Sequence, residues 1–272
     1  MTALPTLDPR PGATTPDMGR SYDDYFKTGL YSRRYPAPNR RVLRLAAGLL
    51  PAGGTFLDYG AGTGRYCAPL VEATGATCIA FDISEVALAT LSARFADLVE
   101  RGRLVLSGPR MGDLEAVAAR RGPLDMALLA FGVLGHVAGR RQRVALLRAL
   151  GDMLRPGGAL MLSVPNARRR FRAEQRESAA LVRNGRLEPG DILYRRAADD
   201  HAIDLYYHLY SLAEIRRDIE AAGFAVTVAT AESVLPEHAV VTYADLGRLD
   251  DWASGWVPLQ LAYGFLLVAR RT

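Results

Sequence analysis

Short apolar runs alternate with segments of helical periodicity between residues 40 and 166. Apolar residues spaced three and four apart predict amphipathic helices, and the runs between them predict strands. The run from Leu124 to Ala130 is nearly all apolar after Asp125, which is typical of a strand buried on both faces of a parallel sheet. The repeated β-α-β alternation therefore predicts a doubly wound α/β fold. The predicted strands of this region cover residues 55–59, 77–82, 103–107, 124–130 and 159–164.

Three local signals set the expected helix ends. Ser84 is a suitable N-cap for a helix that runs to Asp97, and Asp113 is expected to begin the next helix. Pro156-Gly157-Gly158 is expected to stop a basic helix over residues 140–155, because proline cannot extend the hydrogen-bond ladder and glycine accepts a left-handed turn. These ends place each helix between two predicted strands.

The pattern changes after Asn166, where the chain becomes polar, arginine-rich and aromatic. We expect residues 167–209 to form an insertion that contains a hairpin around Ala197-Ala198-Asp199-Asp200-His201. Two late apolar stretches, residues 225–229 and 264–269, are expected to form a terminal hairpin at the sheet edge. The prediction is a mostly parallel sheet of seven strands in one domain over residues 21–272, preceded by a flexible segment, residues 1–20.

Composition limits the function classes. Hydrophobic residues make up 49% of the 272 positions, and no apolar run reaches the roughly 18–20 residues that span a membrane. The first 20 residues lack the apolar core of a secretory signal, so we expect no membrane partner. Cys67 and Cys78 have no metal-ligand or CxxC spacing, which favours a reduced, cytoplasmic protein.

The net charge of +5 comes from one segment. Between Asn166 and Arg196 the chain has nine arginines and four acidic residues, and nine minus four is +5. Two interpretations remain open, namely a solvated helix face and a basic lid over an anionic substrate.

The most specific motif is a glycine loop after the first predicted strand. Phe56-Leu57-Asp58-Tyr59 leads into Gly60-Ala61-Gly62-Thr63-Gly64. A dinucleotide-binding loop of the form G-x-G-x-x-G needs a glycine at position 65, where this chain has Arg65. Glycines at 60, 62 and 64 after an acid resemble motif I of the class I S-adenosylmethionine-dependent methyltransferases. Asp82, Gly112-Asp113-Leu114, Ala130-Phe131-Gly132 and Leu154-Arg155-Pro156-Gly157-Gly158 follow in the order of that family.

This resemblance implies a Rossmann-like methyltransferase fold with an antiparallel C-terminal strand, a lid insertion and S-adenosylmethionine as cofactor. Asp82 would bind the ribose, although NAD enzymes also place an acid there. Asp113 and the Leu114 N–H would meet the adenine, and Phe131 would lie beside the methionine part. Aromatic residues of an N-terminal helical lid, residues 21–50, would cover the cofactor. The implied cofactor residues are Asp58, Gly60, Ala61, Gly62, Gly64, Asp82, Ile83, Asp113, Leu114 and Phe131, with Arg34 on the methionine carboxylate.

The resemblance also suggests candidate catalytic residues. His136 follows the fourth strand, where the family often has a histidine beside the transferring methyl, and the alternative is a structural histidine. Some relatives hold a metal with glutamates in this loop, but Gly132 and Gly135 stand here, so we expect no metal. Tyr206 and His208 would share one strand face directed at the acceptor, and the alternative is a packed aromatic strand.

The leading functional interpretation is in-line methyl transfer to a small-molecule acceptor, either anionic or aromatic. The alternative is a tRNA methyltransferase of the wobble-uridine carboxyl type, because the Tyr206-Tyr207-His208 segment is similar to those enzymes and the insertion is basic. A non-enzymatic cofactor-binding protein is a third interpretation. The acceptor atom, the pathway and the oligomeric state stay open at this point.

Overall fold

The computed structural model describes residues 15–198 and 201–272. The prediction of a flexible segment therefore lies outside the described residues for positions 1–14, as does the predicted hairpin turn at Asp199-Asp200. Met18 to Arg20 were expected to be flexible, but they begin the first helix, where the Asp17 carboxylate accepts hydrogen bonds from the backbone of Gly19 and Arg20.

A seven-stranded sheet in the order β3-β2-β1-β4-β5-β9-β8 forms the centre of the molecule. Strand β9 runs antiparallel to both neighbours, and the other pairs are parallel, as predicted. A separate antiparallel hairpin contains β6 and β7. The strands are β1 (Thr55–Tyr59), β2 (Thr77–Phe81), β3 (Leu104–Ser107), β4 (Leu124–Leu129), β5 (Leu154–Pro165), β6 (Asp191–Ala197), β7 (Ala202–His208), β8 (Phe224–Ser233) and β9 (Gly264–Arg271).

Helices cover both faces of the large sheet. Leu57 and Tyr59 of β1 point into one apolar core with α7, α8 and α10, and Phe56 points into the other with α3, α4 and α5. No helix of the described residues is both long and apolar enough to cross a membrane. The helices are α1 (Met18–Lys27), α2 (Leu30–Arg34), α3 (Arg40–Leu49), α4 (Cys67–Thr74), α5 (Glu85–Arg94), α6 (Ala96–Glu100), α7 (Met111–Arg121), α8 (Arg140–Met153), α9 (Arg172–Arg183), α10 (Leu212–Ala221), α11 (Glu237–Thr242) and α12 (Ala244–Ala253).

Three helix or strand ends differ from the prediction. The helix that begins after Ser84 ends before Phe95. The Phe95 ring packs on the glycine loop, and a Cβ atom on Gly64 would be only 2.6 Å from the Phe95 Cε2 atom. Helix α7 begins at Met111, so Asp113 occupies its third position and is not the N-cap. Strand β5 starts at Leu154 and includes Pro156-Gly157-Gly158, because the pairing with β4 shifts register there and so absorbs the turn.

Helix α1 and hairpin β6–β7 cover the carboxyl ends of β1 and β4. Helix α1 contacts hairpin β6–β7 through Ser21, whose hydroxyl donates to the Asp204 carbonyl over 2.7 Å. It also reaches the start of α5, where the Ser84 hydroxyl donates to Asp23 over 2.6 Å. Helix α3 was expected to belong to the N-terminal lid, but its Val42 and Ala46 are fully buried in the sheet core.

Candidate active site

The glycine loop folds as its sequence requires. Gly60, Gly62 and Gly64 have φ values of +87°, +54° and +89°, a region that side chains with a Cβ rarely adopt. A Cβ on Gly62 would stand 3.3 Å from the Phe26 ring of α1, and one on Gly60 would clash with Val133. The Gly60 and Ala61 N–H groups donate to the Phe81 carbonyl. The loop therefore forms a shallow cradle between β1, β2 and the lid helix.

Two buried carboxylates flank this cradle. Asp82 accepts hydrogen bonds from the N–H groups of Gly62 (2.7 Å) and Ser84 (2.9 Å). Burial raises the pKa of Asp82 to about 6, although these hydrogen bonds act in the opposite direction. Burial, and then the Asp82 carboxylate, raise the pKa of Asp58 to about 7. The Asp58 Oδ2 atom has no hydrogen-bond partner among the described residues, so it can accept from a polar ligand group.

The side expected to hold adenine agrees only partly with the prediction. Ile83 is 38% exposed beside Asp82, which suits a flat apolar ligand group. The Asp113 carboxylate accepts from the backbone N–H of Arg110 at 3.3 Å. The Leu114 N–H was expected to meet the adenine, but it donates to the Arg110 carbonyl inside α7. Its side chain is fully buried, so Leu114 contributes to the core instead of to a ligand contact.

An arginine that the sequence analysis used only to exclude a dinucleotide loop contacts Phe131, a residue of the site. Arg65 is buried, stacks on the Phe131 ring at 4.5 Å and pairs with Glu237 at 2.7 Å. Its Nη1 atom has no hydrogen-bond partner among the described residues. Arg34, the predicted carboxylate ligand, is exposed and donates to the Tyr35 hydroxyl at 3.0 Å instead. Arg65 is thus the buried guanidinium group next to the glycine loop, and Arg34 is not.

His136 lies at the closed end of an aromatic pocket. We call this the inner pocket, a cavity of about 30 Å³ bounded by Tyr22, Phe131, His136, Phe171 and Tyr207. The His136 Nδ1 atom is 2.9 Å from the Tyr206 carbonyl, which can only accept, so Nδ1 carries the proton. Nε2 is therefore the acceptor in its 2.7 Å hydrogen bond with the Tyr22 hydroxyl.

Both partners of this hydrogen bond are neutral near neutral pH. Burial, with a smaller contribution from the Arg170 charge, lowers the pKa of His136 to about 4, and the hydrogen bond to Tyr206 only partly opposes them. Burial raises the pKa of Tyr22 well above its usual value, so the phenol keeps its proton. A neutral imidazole nitrogen thus receives a hydrogen bond from a phenol, the arrangement that a general base needs before proton transfer.

An outer cavity of about 340 Å³ opens from the inner pocket. It is bounded by Arg34, Arg170, Arg172, Arg196 and Tyr263, among others. The two cavities share Tyr35, Arg170, Phe171 and Arg196. Phe131 and Phe171 are the only non-glycine residues of the described chain with positive φ, +60° and +55°. Such backbone strain concentrates at functional sites, and both strained residues border the inner pocket.

Two predicted catalytic residues lie elsewhere. Tyr206 and His208 are at most 1% exposed and bond to Asp191 at 2.6 and 2.7 Å, on the face of β7 that points away from the inner pocket. The intervening residue, Tyr207, stacks on His136 at 4.4 Å between ring centroids. Tyr206 and His208 are therefore not placed to contact an acceptor. The alternation of strand faces identified which residues share a side but not which side faces the pocket.

The structure also brings together an acid and histidine cluster that the sequence did not reveal. Glu188, Asp191 and His208 approach one another closely enough to hold a metal ion. A cation of the chain already lies there, because Arg143 is 3.0 Å from Glu188 and 3.3 Å from the His208 Nε2 atom. We therefore interpret the group as a buried charge cluster.

Comparison with known proteins identifies the family of the chain. The chain matches the family described as a methyltransferase domain over residues 31–229. It is 36% identical over 117 residues to the ribosomal RNA small subunit methyltransferase H of Methylocella silvestris, a match covering 42% of this chain. The chain spans about a third of the length of that relative (33%).

Solved structures share the fold at low identity. The CcbJ methyltransferase from Streptomyces caelestis aligns with a TM-score of 0.58 at 16% identity, over 87% of this chain and 91% of that one. The 1,6-didemethyltoxoflavin-N1-methyltransferase of Burkholderia thailandensis, solved with its substrate and S-adenosylhomocysteine, aligns with a TM-score of 0.54 at 19% identity, over 100% and 93%. A methyltransferase from Methanosarcina mazei gives 0.59 at 14% identity, over 84% and 96%.

The matched segment contains the glycine loop, Asp58, Asp82 and His136, and its cradle has the unpartnered carboxylate oxygen and guanidinium nitrogen that suit an amino-acid nucleoside. The chain belongs to the methyltransferase-domain family and is a class I S-adenosylmethionine-dependent methyltransferase.

Proposed function

We propose that the enzyme methylates the phenolic oxygen of a small aromatic acceptor held in the inner pocket. The observation that carries this proposal is the 2.7 Å hydrogen bond between the Tyr22 phenol and the neutral His136 Nε2 atom. The inner pocket is about 30 Å³, room for about one water molecule, so an acceptor ring must displace the Tyr22 ring. The acceptor hydroxyl would then take the place of the Tyr22 hydroxyl.

The chemistry needs little beyond positioning and one proton transfer. The bound cofactor supplies an electrophilic methyl group on its sulfonium. His136 Nε2 would accept the proton of the acceptor hydroxyl as that oxygen attacks the methyl group and the thioether of the cofactor leaves. The Tyr206 carbonyl holds the Nδ1 proton and so fixes the required tautomer. Tyr207, Phe131 and the lid helix exclude water from the reacting atoms.

For the cofactor we propose the following contacts. Asp82 accepts from the ribose hydroxyls, Asp58 from a polar group near the loop, and the exposed Ile83 packs on the adenine. Arg65 binds the methionine carboxylate through its unpartnered Nη1 atom. Glu237 and the cofactor carboxylate would then bind the same guanidinium group, Glu237 at Nη2 and the cofactor at Nη1.

The proposed roles of Arg65 and Asp82 predict different losses of affinity for S-adenosylhomocysteine and 5′-methylthioadenosine. Arg65→Gln is expected to weaken S-adenosylhomocysteine about tenfold or more, because one charge-assisted hydrogen bond is lost. It should barely affect 5′-methylthioadenosine, which keeps the ribose and adenine but lacks the amino-acid part. Asp82→Ala is expected to weaken both ligands about equally. Isothermal titration calorimetry measures all four affinities, and equal losses of the two ligands in Arg65→Gln would contradict the assignment.

A panel of acceptors with one ring and different nucleophiles tests the proposed function. We expect labelled methyl transfer from S-adenosylmethionine to phenols, and slower transfer to the matched aniline and thiophenol. Preferential methylation of the aniline would contradict the role of His136 as base, because a neutral amine needs no proton removed before attack.

The cytoplasmic compartment remains a prediction from the cysteine content.

An RNA acceptor is the second candidate, favoured by the exposed arginines of α9 and its flanks. Arg168, Arg172, Arg176 and Arg183 all face solvent. A single short basic surface is a small footprint for a folded RNA. Methylation of bulk tRNA, with an affinity that falls steeply as salt rises, would favour this candidate over the phenol.

A further inference from the structure

Two arginines between the inner pocket and the outer cavity lack the carboxylate partners that buried guanidinium groups normally have. Arg170 and Arg196 are both half-buried, and within residues 15–198 and 201–272 neither forms an ion pair. The Nε atom of Arg170 is buried without a hydrogen-bond partner. Leaving such a donor unpaired costs free energy that a ligand in the cavity would recover.

Aromatic rings hold both guanidinium groups in place around one residue. Arg170 lies 5.2 Å from the Phe171 ring and 4.9 Å from Tyr263, and Arg196 lies 5.9 Å from Phe171 and 5.1 Å from Tyr194. Stacking on rings orients the planar groups, and although Arg170 also hydrogen-bonds to the Tyr207 side chain, its Nε–H stays available to an anion. Both guanidinium groups therefore lie beside Phe171, where the inner pocket and the outer cavity meet.

The remaining charges around the outer cavity do not neutralise them. Glu232 interacts with the Arg170 charge, but burial and then Glu237 raise the pKa of Glu232 to about 8, so this carboxyl group is mostly protonated near neutral pH. Four arginines border it against two carboxylates, Glu174 and Glu237. Glu237 is already paired with Arg65 at 2.7 Å and bonded by Asn39 at 3.0 Å. The cavity thus keeps a positive excess that suits an anionic group.

The distances connect this excess to the catalytic histidine. Tyr207 separates the two, with its ring 4.4 Å from the His136 ring on one side and 5.8 Å from the Arg170 guanidinium carbon on the other. We propose that the acceptor is a phenol with an anionic substituent, a carboxylate or phosphate, which Arg170 and Arg196 bind while the hydroxyl meets His136. This proposal rests on the proposed function, because it assigns the second group of the same acceptor.

Binding to the S-adenosylhomocysteine complex tests the anion site without any turnover. Benzoate should bind more tightly than its neutral isostere benzamide, and Arg170→Met and Arg196→Met should each reduce the benzoate affinity about tenfold and leave benzamide unchanged. Arg168→Met is the matched control, because Arg168 is exposed and borders neither cavity. Equal affinities for benzoate and benzamide, or an unchanged preference in both pocket variants, would overturn the proposal.

Turnover separates the inference from the proposed function. Both 3- and 4-hydroxybenzoate, 4-hydroxyphenyl phosphate and 4-hydroxybenzamide are assayed with the intact enzyme. A higher kcat/KM for one or more anions, lost in Arg170→Met, supports both proposals, and the best anion identifies carboxylate or phosphate. Equal methylation of the neutral amide keeps the phenol function and overturns the anion site. Tight benzoate binding without methylation of any phenol keeps the anion site and overturns the function.

Discussion

Replacement of His136 by glutamine is expected to lower kcat for a phenolic acceptor by a factor of about 100 to 10,000, the usual contribution of a positioned general base. Glutamine keeps a donor and an acceptor in the inner pocket but does not titrate. The His136 ring lies outside the glycine loop, so the affinity for S-adenosylhomocysteine should stay unchanged. Steady-state kinetics and calorimetry measure the two quantities separately.

The pH dependence of the methyl-transfer rate distinguishes a general base from a structural histidine at position 136. Because the pKa of His136 is lowered to about 4, the imidazole is already neutral above that pH, and wild-type kcat with saturating S-adenosylmethionine should fall only as pH approaches 4. A loss of kcat/KM for the cofactor between pH 7 and 6 would instead reflect protonation of Asp58 and Asp82, whose pKa values are raised to about 7 and 6. The His136→Gln variant depends on phenol that has ionised in solution, so its rate should rise with pH. Its deficit should shrink with a more acidic phenol such as 4-nitrophenol.

His201→Gln provides the control, because His201 is exposed at the end of the hairpin. A His136→Gln variant that loses S-adenosylhomocysteine binding together with activity would indicate a structural role. A variant with full activity at every pH would exclude the base altogether.

Local chemistry explains which parts of the site could be predicted from the sequence. The glycine loop and Asp82 depend on strand ends and on positive φ, both of which nearby residues determine. The buried position of Arg65 could not be predicted, because it depends on Glu237, which lies 172 positions further along the chain. The signal available was a charged residue directly after the loop.

The insertion shows the limit of periodicity. Strand alternation correctly separated Tyr207 from Tyr206 and His208, but the direction of each face depends on how the hairpin packs on α1 and α8. The position of the helices after β8 also depends on packing between distant parts of the chain. The Asp250 carboxylate of α12 accepts hydrogen bonds from the Val234 and Leu235 N–H groups that follow β8. Phe171 and Arg170 line both cavities as a result of this packing, and no spacing in the sequence marks them.

The buried charge cluster explains why Tyr206 and His208 are where they are. Arg143 of α8 is fully buried and faces Glu188, while His208 bonds to Asp191 and to Glu214 at 3.1 Å. Burial alone would lower the pKa of His208, but the hydrogen bonds to Asp191 and Glu214 outweigh it and raise the pKa. Arg143 and the His208 imidazole therefore face three carboxylates, and these contacts join the hairpin to α8 and α10 beneath the inner pocket.

Removal of the Arg143 charge is expected to cost about 3–5 kcal/mol of unfolding free energy, because carboxylates then stay buried without their cation. Arg143→Met keeps the chain volume, so the loss reflects charge and not a cavity. Thermal melting should fall by roughly 10 °C for a chain of this size. Arg141→Met, two residues before Arg143 in the same helix but exposed, should change stability by less than about 0.5 kcal/mol.

The two variants also separate the cluster from the catalytic site. If the cluster acts only by anchoring the hairpin, Arg143→Met at a temperature below its transition should bind S-adenosylhomocysteine normally and lose acceptor affinity, because the hairpin supplies Tyr207 and Arg196 but no residue of the glycine loop. Arg143→Lys, which keeps the charge without the planar fork, should fall between wild type and Arg143→Met. Equal melting temperatures for Arg143→Met and Arg141→Met would show that the cluster does not stabilise the fold.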